Sequence, residues 1–335
     1  MDENIEIAKR RVGRTSLEVT ALGLGGATLG GVAEVSTVEA RAIVGAAYRA
    51  GVRYFDTAPQ YGYGKSERIV GDELRGLGGY VLSTKVGRRL RPLRQTRAAG
   101  DIWYEPLPFE PVYDYSYDGV MRAYEDSLQR LGLERIDIVF VHDPDVYVRE
   151  SGQPDDAFNR AIDSAYKALD RLRSTGEIRA IGLGVNDANP ISAALPRGQW
   201  DCFLLAGRYT LLEQAPLHRL LPEVARHGAS ILVGGPFNSG ILAGRDTWNY
   251  ARAPQDVRAR VDSLAKICAA HGGPLAAAAL RFPLAHPAVA GVIPGPRSAE
   301  ELEQILGWWN APIPADLWRE MRAERLIDAE APVPQ

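Results

Sequence analysis

Cysteines, long apolar runs and basic clusters are all scarce in this chain of 335 residues. The two cysteines, Cys202 and Cys268, are typical of a reducing compartment and exclude a disulfide framework or a cysteine-rich metal site. No segment approaches the roughly 18 consecutive apolar residues that a membrane helix needs, and the first residues lack the apolar core of a signal peptide. We therefore expect a soluble, cytoplasmic protein with no bound metal.

The charged residues are balanced in number and dispersed along the chain. The 39 basic and 42 acidic residues leave a formal charge of −3, and no polybasic tract offers a footprint for nucleic acid or an anionic membrane. We expect a small-molecule substrate as the partner. No interface signal is visible, so the sequence leaves open whether the protein is a monomer or a weak oligomer.

Eight short runs rich in Val, Ile and Leu alternate with longer amphipathic segments, as parallel strands alternate with crossover helices. The runs cover 19–26, 54–58, 80–87, 137–144, 178–185, 201–207, 229–235 and 290–295. Between the first two, the segment 36–51 has helix signals: Ser36 can cap the helix, Glu39 completes a capping box and Gly51 ends it.

This alternation predicts an α/β fold, a (β/α)8 TIM barrel formed by one domain over residues 1–335. A small hairpin turning at Gly13 should precede the barrel, and long loops should cover its C-terminal mouth. The alternative is an open doubly wound sheet. That fold normally shows a GxGxxG turn, and the glycines at 23, 25, 26, 30 and 31 do not have this spacing.

Polar residues follow several of the predicted strands, and in such a barrel they converge on one mouth. They are Asp56, Tyr61, Lys85 and His142, with Asn186 after the next strand. Each has an ordinary structural explanation: the acid as a cap, the tyrosine as a packed ring, the histidine as a satisfied core group. Lys85 is harder to explain, because it lies among apolar strand residues and needs an anionic partner, which Asp56 can supply.

Together these residue types form a proton-transfer unit. A tyrosine with its usual pKa of about 10 is a poor acid or base near neutrality, and we expect Lys85 to lower the pKa of Tyr61. Asp56 would hold Lys85, and a neutral His142 would orient the reacting oxygen. The chain has no nucleophile elbow and no paired catalytic carboxylates, so hydride transfer to a bound cofactor fits better than hydrolysis.

The segments that carry these residues resemble the aldo-keto reductases. The matching stretches are "FDTAPQYGYGKSERIVGDEL", "STKVG", "VHDPD" and "VIPGPRSAEEL", in order from about residue 11 to beyond 310. The resemblance implies a catalytic tetrad of Asp56, Tyr61, Lys85 and His142 and a nicotinamide cofactor. Stretches such as "LLAGRYTLLEQ" and "GGPFNSGIL" are similar to the branch with bacterial L-fucose dehydrogenase, D-threo-aldose 1-dehydrogenase and pyridoxal 4-dehydrogenase.

The resemblance also implies a set of cofactor-binding residues. They are Gly26, Asp56, Asn186, Gly235, Pro236, Phe237, Ser239, Gly240, Pro294, Gly295, Arg297 and Glu301. Gly234 stands where many members have a tyrosine that stacks on the nicotinamide, so Phe237 is expected to form that wall, and Ala206 stands in place of the usual glutamine. Glu301 replaces an arginine that binds the 2′-phosphate of NADP, so NAD is expected to be preferred over NADP.

The same branch implies oxidation of a cyclic hemiacetal to a lactone, with Tyr61, His142 and Trp103 contacting the substrate. The most favoured activity is an aldose 1-dehydrogenase acting on L-fucose-type or D-threo-type sugars. Three alternatives stay open: a pyridoxal 4-dehydrogenase, a general NADPH-dependent reductase of aldehydes and ketones, and a non-catalytic, redox-sensing channel subunit. Neither the sugar nor the physiological direction is specified by the sequence.

Overall fold

A computed structural model describes residues 6–32, 34–95, 102–154 and 156–334. Eight parallel strands form one sheet: β3 (Leu24–Gly25), β4 (Tyr54–Asp56), β5 (Val81–Val86), β8 (Ile138–His142), β9 (Ala180–Val185), β10 (Cys202–Ala206), β11 (Ser230–Gly234) and β14 (Val289–Ile293). Three short antiparallel pairs accompany them: β1 (Lys9–Arg11) with β2 (Glu18–Thr20), β6 (Arg88–Pro92) with β7 (Phe109–Tyr113), and β12 (Thr247–Trp248) with β13 (Ala251–Arg252).

The parallel sheet closes on itself. Its strand order is β14-β11-β10-β9-β8-β5-β4-β3, and the two end strands meet through a parallel bridge between Leu22 and Val292. The amide of Gly23 donates to the carbonyl of Val292 at 2.9 Å, and the amide of Gly25 donates to that of Pro294 at 2.9 Å. The predicted barrel is thereby confirmed. Because its strands are parallel, their C-terminal ends all lie at the same rim.

Helices lie between the strands and around them. They are α1 (Thr37–Arg49), α2 (Lys65–Leu74), α3 (Tyr117–Leu131), α4 (Pro144–Glu150), α5 (Ala157–Ser174), α6 (Asn189–Ala194), α7 (Leu220–Arg226), α8 (Gln255–Ala270), α9 (Leu275–Arg281), α10 (Ala299–Asn310) and α11 (Ala315–Ala323). The capping prediction for α1 holds, because the Ser36 hydroxyl accepts from the amide of Glu39 at 3.2 Å. None of the helices described here is long and apolar enough to span a membrane.

The N-terminal hairpin fills one end of the barrel. Its strands β1 and β2 pair as predicted, and Gly13 in the turn has a φ of +50°. Val12, Leu17 and Val19 of this hairpin pack with residues from inside the barrel, including Tyr54 and Phe140. The hairpin therefore covers the end opposite the mouth.

One strand prediction was wrong in its bounds. The run 19–26 was expected to form the first barrel strand, but Val19 and Thr20 belong to β2 and pair with β1. Only Leu24 and Gly25 pair with β4. Pairing with β1 and pairing with β4 both satisfy backbone hydrogen bonds. The apolar pattern therefore does not show at which residue the chain changes from one partner strand to the other.

Two of the loops at the mouth carry hairpins of their own. The loop after β5 contains β6 and β7, and the loop after β11 contains β12 and β13. Residues 96–101 of the first loop lie outside the described part of the chain. Trp103, the predicted substrate contact in that loop, is described and is 7% exposed.

Candidate active site

The four predicted tetrad residues meet at the C-terminal rim of the barrel. Asp56 ends β4, Lys85 lies near the end of β5, and His142 ends β8, so three neighbouring strands present them side by side. Tyr61 begins a 3-10 helix, Tyr61–Gly64, in the loop after β4. The structure thus brings together residues that are up to 86 positions apart in the sequence, counted from Asp56 to His142.

Lys85 and Asp56 form a buried ion pair. The Nζ atom of Lys85 lies 2.7 Å from Oδ2 of Asp56 and also donates to the carbonyl of Thr57 at 2.9 Å. The hydroxyl of Ser83 donates to Oδ1 of Asp56 at 2.7 Å, so both carboxylate oxygens are occupied. Burial lowers the pKa of Lys85, but the charges of Asp56 and Tyr61 outweigh it and the net shift is upward. Lys85 is therefore an ammonium at neutral pH.

Tyr61 is placed by the glycine-rich loop around it. The next residue, Gly62, has a φ of +61°, and a Cβ atom there would lie 2.2 Å from the carbonyl oxygen of Gly30. Only glycine allows this close approach of two backbones. The turn leaves the tyrosine ring half-buried, with its centroid 4.6 Å from Nζ of Lys85.

Lys85 lowers the pKa of Tyr61 as predicted, but the net shift of this pKa is upward. The ammonium and its hydrogen bond do lower this pKa, but burial raises it more, and the pKa of Tyr61 is about 12. The negative charge of Asp56 adds to the increase. Tyr61 is therefore a protonated phenol at neutral pH.

His142 faces Tyr61 edge-on, with the ring centroids 5.9 Å apart. Burial, followed by the positive charges of Arg88 and Lys85, holds the pKa of His142 well below its usual value. The imidazole is therefore neutral, as expected from the sequence. Within the described ranges, its buried Nδ1 atom has no hydrogen-bond partner.

Trp103 completes this side of the mouth. Its ring centroid lies 5.9 Å from that of Tyr61 at an interplanar angle of 46°, and 6.4 Å from that of Tyr63. The long loop after β5 thus folds back so that its tryptophan lies beside the tyrosine. Only 7% of Trp103 is exposed, so little of its ring is open to a substrate, and the contact of Trp103 with a substrate stays a prediction.

Several of the predicted cofactor residues line the rim on the other side. Gly26 and Gly295 flank the closure of the barrel, and an added Cβ at Gly295 would contact the Thr28 hydroxyl at 3.1 Å. That buried hydroxyl has no hydrogen-bond partner among the residues described. At Gly235 an added Cβ would meet no atom closer than 3.9 Å, so the space in front of this turn is open. These features fit a dinucleotide lying along the rim.

The turn after β11 has left-handed backbone at three successive residues. Asn238, Ser239 and Gly240 have φ values of +49°, +61° and +104°. The Ser239 hydroxyl accepts from the amide of Tyr250 at 3.0 Å, which ties this turn to the hairpin of β12 and β13. Pro236 is buried at the start of the turn and Pro294 is buried just after β14.

Phe237 has little surface left for the nicotinamide wall that the sequence suggested. It is 9% exposed and packs edge-on against Trp308, with the ring centroids 5.7 Å apart. Asn186, by contrast, lies at the mouth as expected. Its Nδ2 atom donates to Oδ1 of Asp143 at 3.3 Å, and its Oδ1 accepts from the hydroxyl of Tyr250 at 3.3 Å.

Glu301 lies between two arginines at the start of α10. Its Oε1 accepts from Nη2 of Arg245 at 2.6 Å and from Nη2 of Arg297 at 3.0 Å, while Oε2 accepts from the Arg297 amide at 2.9 Å. The sequence predicted a carboxylate open to ribose hydroxyls. The structure shows that both oxygens are already engaged by arginine, and Arg245 was not identified from the sequence.

Sequence reasoning also missed two charged residues next to His142. Arg88 and Asp143 are 8% and 7% exposed, and Nη2 of Arg88 donates to Oδ2 of Asp143 at 2.8 Å. Burial raises the pKa of Asp143 to about 6, although Arg88 opposes the shift. Their positions were available as a signal, because Asp143 directly follows His142 and Arg88 follows the Lys85 strand.

Comparison with known proteins agrees with this geometry. The sequence model of the aldo/keto reductase family matches residues 21–324. The chain belongs to this family. The enzyme is therefore an NAD(P)-dependent oxidoreductase that acts on small molecules.

Two characterised relatives are similar over nearly their whole length. The enzyme is 42% identical to pyridoxal 4-dehydrogenase of Microbacterium luteolum, over 95% of this chain and 98% of that protein. It is 35% identical to D-threo-aldose 1-dehydrogenase of a Pseudomonas species, over 93% of this chain and 95% of that protein. Among solved structures, the holo form of an aldo-keto reductase from Bacillus halodurans has a TM-score of 0.74 at 26% identity, covering 97% of this chain and 98% of that one.

Proposed function

We propose that the enzyme is an aldose 1-dehydrogenase that oxidises the C1 hemiacetal of L-fucose-type or D-threo-type pyranoses to the lactone, with NAD. The observation that carries the proposal is the contact of Tyr61 with the buried Lys85–Asp56 pair, beside His142. This array can move one proton at one oxygen atom. The name of the Pseudomonas relative supports the class of substrate.

Tyr61, Lys85 and Asp56 have different roles in the proposed reaction. A nicotinamide held by the rim residues would supply the hydride acceptor for the carbon that is oxidised. Tyr61 takes the proton of the hydroxyl on that carbon, so that a C=O bond replaces C–O–H. Since the pKa of Tyr61 is about 12, its own proton must leave first, and Lys85 favours the resulting phenolate. Asp56 keeps Lys85 charged and in place.

His142 orients the reacting oxygen. A neutral imidazole carries one N–H and can donate it to the substrate hydroxyl. The lowered pKa of His142 keeps it in this form at neutral pH, so no second cation competes with Lys85 for the phenolate. Trp103 lies beside Tyr61 and would contact the sugar through the small part of its ring that is exposed.

The cofactor would be held by the rim residues. Asn186 would bind the carboxamide group of the nicotinamide. The turns at 235–240 and 294–297 would contact the diphosphate and the adenosine. We infer a preference for NAD because the Glu301 carboxylate already occupies the position between Arg245 and Arg297. A 2′-phosphate would have to displace it to reach either guanidinium.

A charge substitution tests this preference. Glu301→Gln should raise the ratio of kcat/KM with NADP to that with NAD by about tenfold or more, since charge-assisted hydrogen bonds contribute about 1.5–3 kcal/mol. Glu300→Gln is the matched control, because Glu300 is the adjacent residue with the same charge and is exposed. An unchanged ratio in Glu301→Gln would show that this arginine pair does not contact the nucleotide.

The activity itself is tested by following the absorbance of the reduced nicotinamide. The purified enzyme is mixed with NAD or NADP and with L-fucose, D-arabinose, L-galactose, other D-threo aldoses or pyridoxal. We expect reduction of NAD with one stereochemical set of sugars. In Tyr61→Phe, turnover should fall by more than a hundredfold while nucleotide binding, measured by fluorescence titration, stays within about twofold. Near-normal turnover in this variant would refute the role of Tyr61.

Pyridoxal oxidation is the second candidate, favoured by the 42% identity to pyridoxal 4-dehydrogenase. The pyridoxal hemiacetal presents the same reacting group, a hydroxyl and a hydrogen on one ring carbon. Turnover with pyridoxal and none with sugars would establish this activity instead. If every dehydrogenase assay fails, reduction of simple aldehydes with NADPH becomes the reaction to measure.

A further inference from the structure

The Arg88–Asp143 pair lies next to the reacting groups but is not part of the tetrad. Oδ2 of Asp143 lies 3.5 Å from Nε2 of His142 and 2.8 Å from Nη2 of Arg88. Both side chains are almost fully buried. A buried ion pair is rarely more stabilising than apolar residues of the same size, so its presence at a substrate mouth calls for a functional explanation.

The pair is held in place by several independent contacts. Asp143 has a left-handed backbone with a φ of +42°, which is unfavourable for a residue other than glycine. The hydroxyl of Tyr115 donates to the carbonyl of Asp143 at 3.3 Å and also to that of His142. Asn186 donates to Oδ1 at 3.3 Å. The carboxylate is therefore fixed relative to the imidazole.

The pair still has hydrogen-bonding capacity. Among the residues that the structure describes, Asp143 Oδ1 accepts only one long bond and the buried Nε of Arg88 has no partner. A hydroxyl group is both a donor and an acceptor, so it can donate to the carboxylate and accept from the guanidinium. An ammonium or a carboxylate would match only one of the two.

We propose that Arg88 and Asp143 bind the substrate hydroxyl nearest to the carbon that is oxidised. The inference rests on the proposed function, in which the reacting oxygen contacts His142 and Tyr61. In a pyranose the C2 hydroxyl lies one hydrogen-bond length from the C1 oxygen. Asp143 Oδ2, at 3.5 Å from Nε2 of His142, is within reach of that second hydroxyl. The pair thus selects substrates that carry a hydroxyl group on the carbon next to the one that is oxidised.

A cycle of substrate and protein substitutions tests the contact. D-Arabinose and 2-deoxy-D-ribose share one skeleton and differ in the C2 hydroxyl, and so do L-fucose and 2-deoxy-L-fucose. For the unmodified enzyme we expect kcat/KM to be about 10- to 100-fold higher with the sugar that has the hydroxyl, mainly through KM. In Asp143→Asn this ratio should fall at least fivefold.

Asp145→Asn is the matched control, because Asp145 lies two residues away in the first turn of α4 and makes no contact with Arg88 among the described pairs. Its ratio should equal that of the unmodified enzyme. Arg88→Lys provides a second variant that keeps the charge and loses the fork of donors. It should also lower the ratio, and its circular dichroism spectrum shows whether it is folded.

The outcomes separate this inference from the proposed function. If Asp143→Asn lowers activity with both sugars of a pair by the same factor, the pair only positions His142 and the inference is wrong. If sugars are not oxidised but pyridoxal is, the sugar assignment fails, and the cycle is run with pyridoxal and 3-deoxypyridoxal, where equal losses would again overturn the inference. Absence of turnover with both classes would overturn both proposals.

Discussion

Substitution of Lys85 by methionine should destabilise the protein strongly at neutral pH and much less in mild acid. Lys85 is 1% exposed, and its ammonium lies 2.7 Å from Oδ2 of Asp56. At this distance an effective dielectric constant of about 20 gives roughly 6 kcal/mol of attraction, part of which offsets desolvation. Removing one partner leaves an unpaired buried charge, which costs about 3–5 kcal/mol.

The pH dependence follows from what Asp56 does without its partner. Burial raises the pKa of Asp56, and in the unmodified protein Lys85 and Ser83 act in the opposite direction. Loss of Lys85 therefore raises this pKa further above its value in the unfolded chain, which is about 3.9. A carboxyl group with a raised pKa in the folded state binds its proton more tightly there than in the unfolded state. The loss in free energy of unfolding caused by Lys85→Met should thus increase with pH, by at most about 1.4 kcal/mol per pH unit, until the pH exceeds the raised pKa of Asp56.

Asp56→Asn should show the opposite dependence. It leaves the buried Lys85 without an anion, so burial lowers the pKa of Lys85 in the folded state. The folded protein then prefers the neutral amine, and the deficit should decrease as the pH rises toward the ordinary lysine value of about 10.4. The double variant has no charge at either position, so its loss in free energy of unfolding should not depend on pH.

Thermal midpoints at several values between pH 5 and pH 9, read by circular dichroism, provide the test. The unmodified enzyme, both single variants and the double variant are compared at each pH. The reasoning predicts that the midpoint deficits of the two single variants change with pH in opposite directions. Parallel deficits at every pH, or single losses that simply add in the double variant, would show that Lys85 and Asp56 are not electrostatically coupled.

Two further predictions concern packing and the pH dependence of the reaction. In α2, a Cβ atom at Gly71 would lie 1.9 Å from the carbonyl oxygen of Leu131, so Gly71→Ala should lower the thermal midpoint by several degrees through overpacking of about 1–3 kcal/mol. Gly78→Ala, where no atom lies within 4 Å, should leave the midpoint unchanged, and equal midpoints for both variants would contradict the packing argument. Because the pKa of Tyr61 is about 12, kcat for oxidation should increase from pH 7 to pH 10, by at most about tenfold per unit, and a flat profile would mean that loss of the Tyr61 proton does not limit the rate.

Much of the barrel could be predicted from local patterns. Six of the eight apolar runs each contain one observed barrel strand, and the run 290–295 overlaps β14 from its second residue, because buried parallel strands are mostly apolar. The first run was misjudged because it contains parts of two strands. Val19 pairs with Arg10 in the hairpin and Leu24 pairs with Phe55 in the barrel. Apolar content alone does not reveal a change of partner within eight residues.

The proximity of Asp56, Lys85 and His142 could also be predicted, since the ends of neighbouring parallel strands share one rim. The pKa values of the candidate site residues could not be predicted. The pKa of Tyr61 depends on the difference between burial and the field of Lys85, and both are properties of the folded state. The partner of Glu301 was equally hidden, because Arg245 lies 56 positions away on a different loop.

The charges around His142 bear on the class of substrate. Lys85 with Asp56 and Arg88 with Asp143 form two buried pairs, so four charged side chains beside the imidazole carry no net charge. Their two cations help to lower the pKa of His142, and the imidazole remains neutral as well. Burying a charged ligand in such a site would cost free energy that no unpaired side chain of this group is available to recover. A neutral hemiacetal with several hydroxyl groups meets no such penalty, because each hydroxyl can pair with the donors and acceptors that the two ion pairs present.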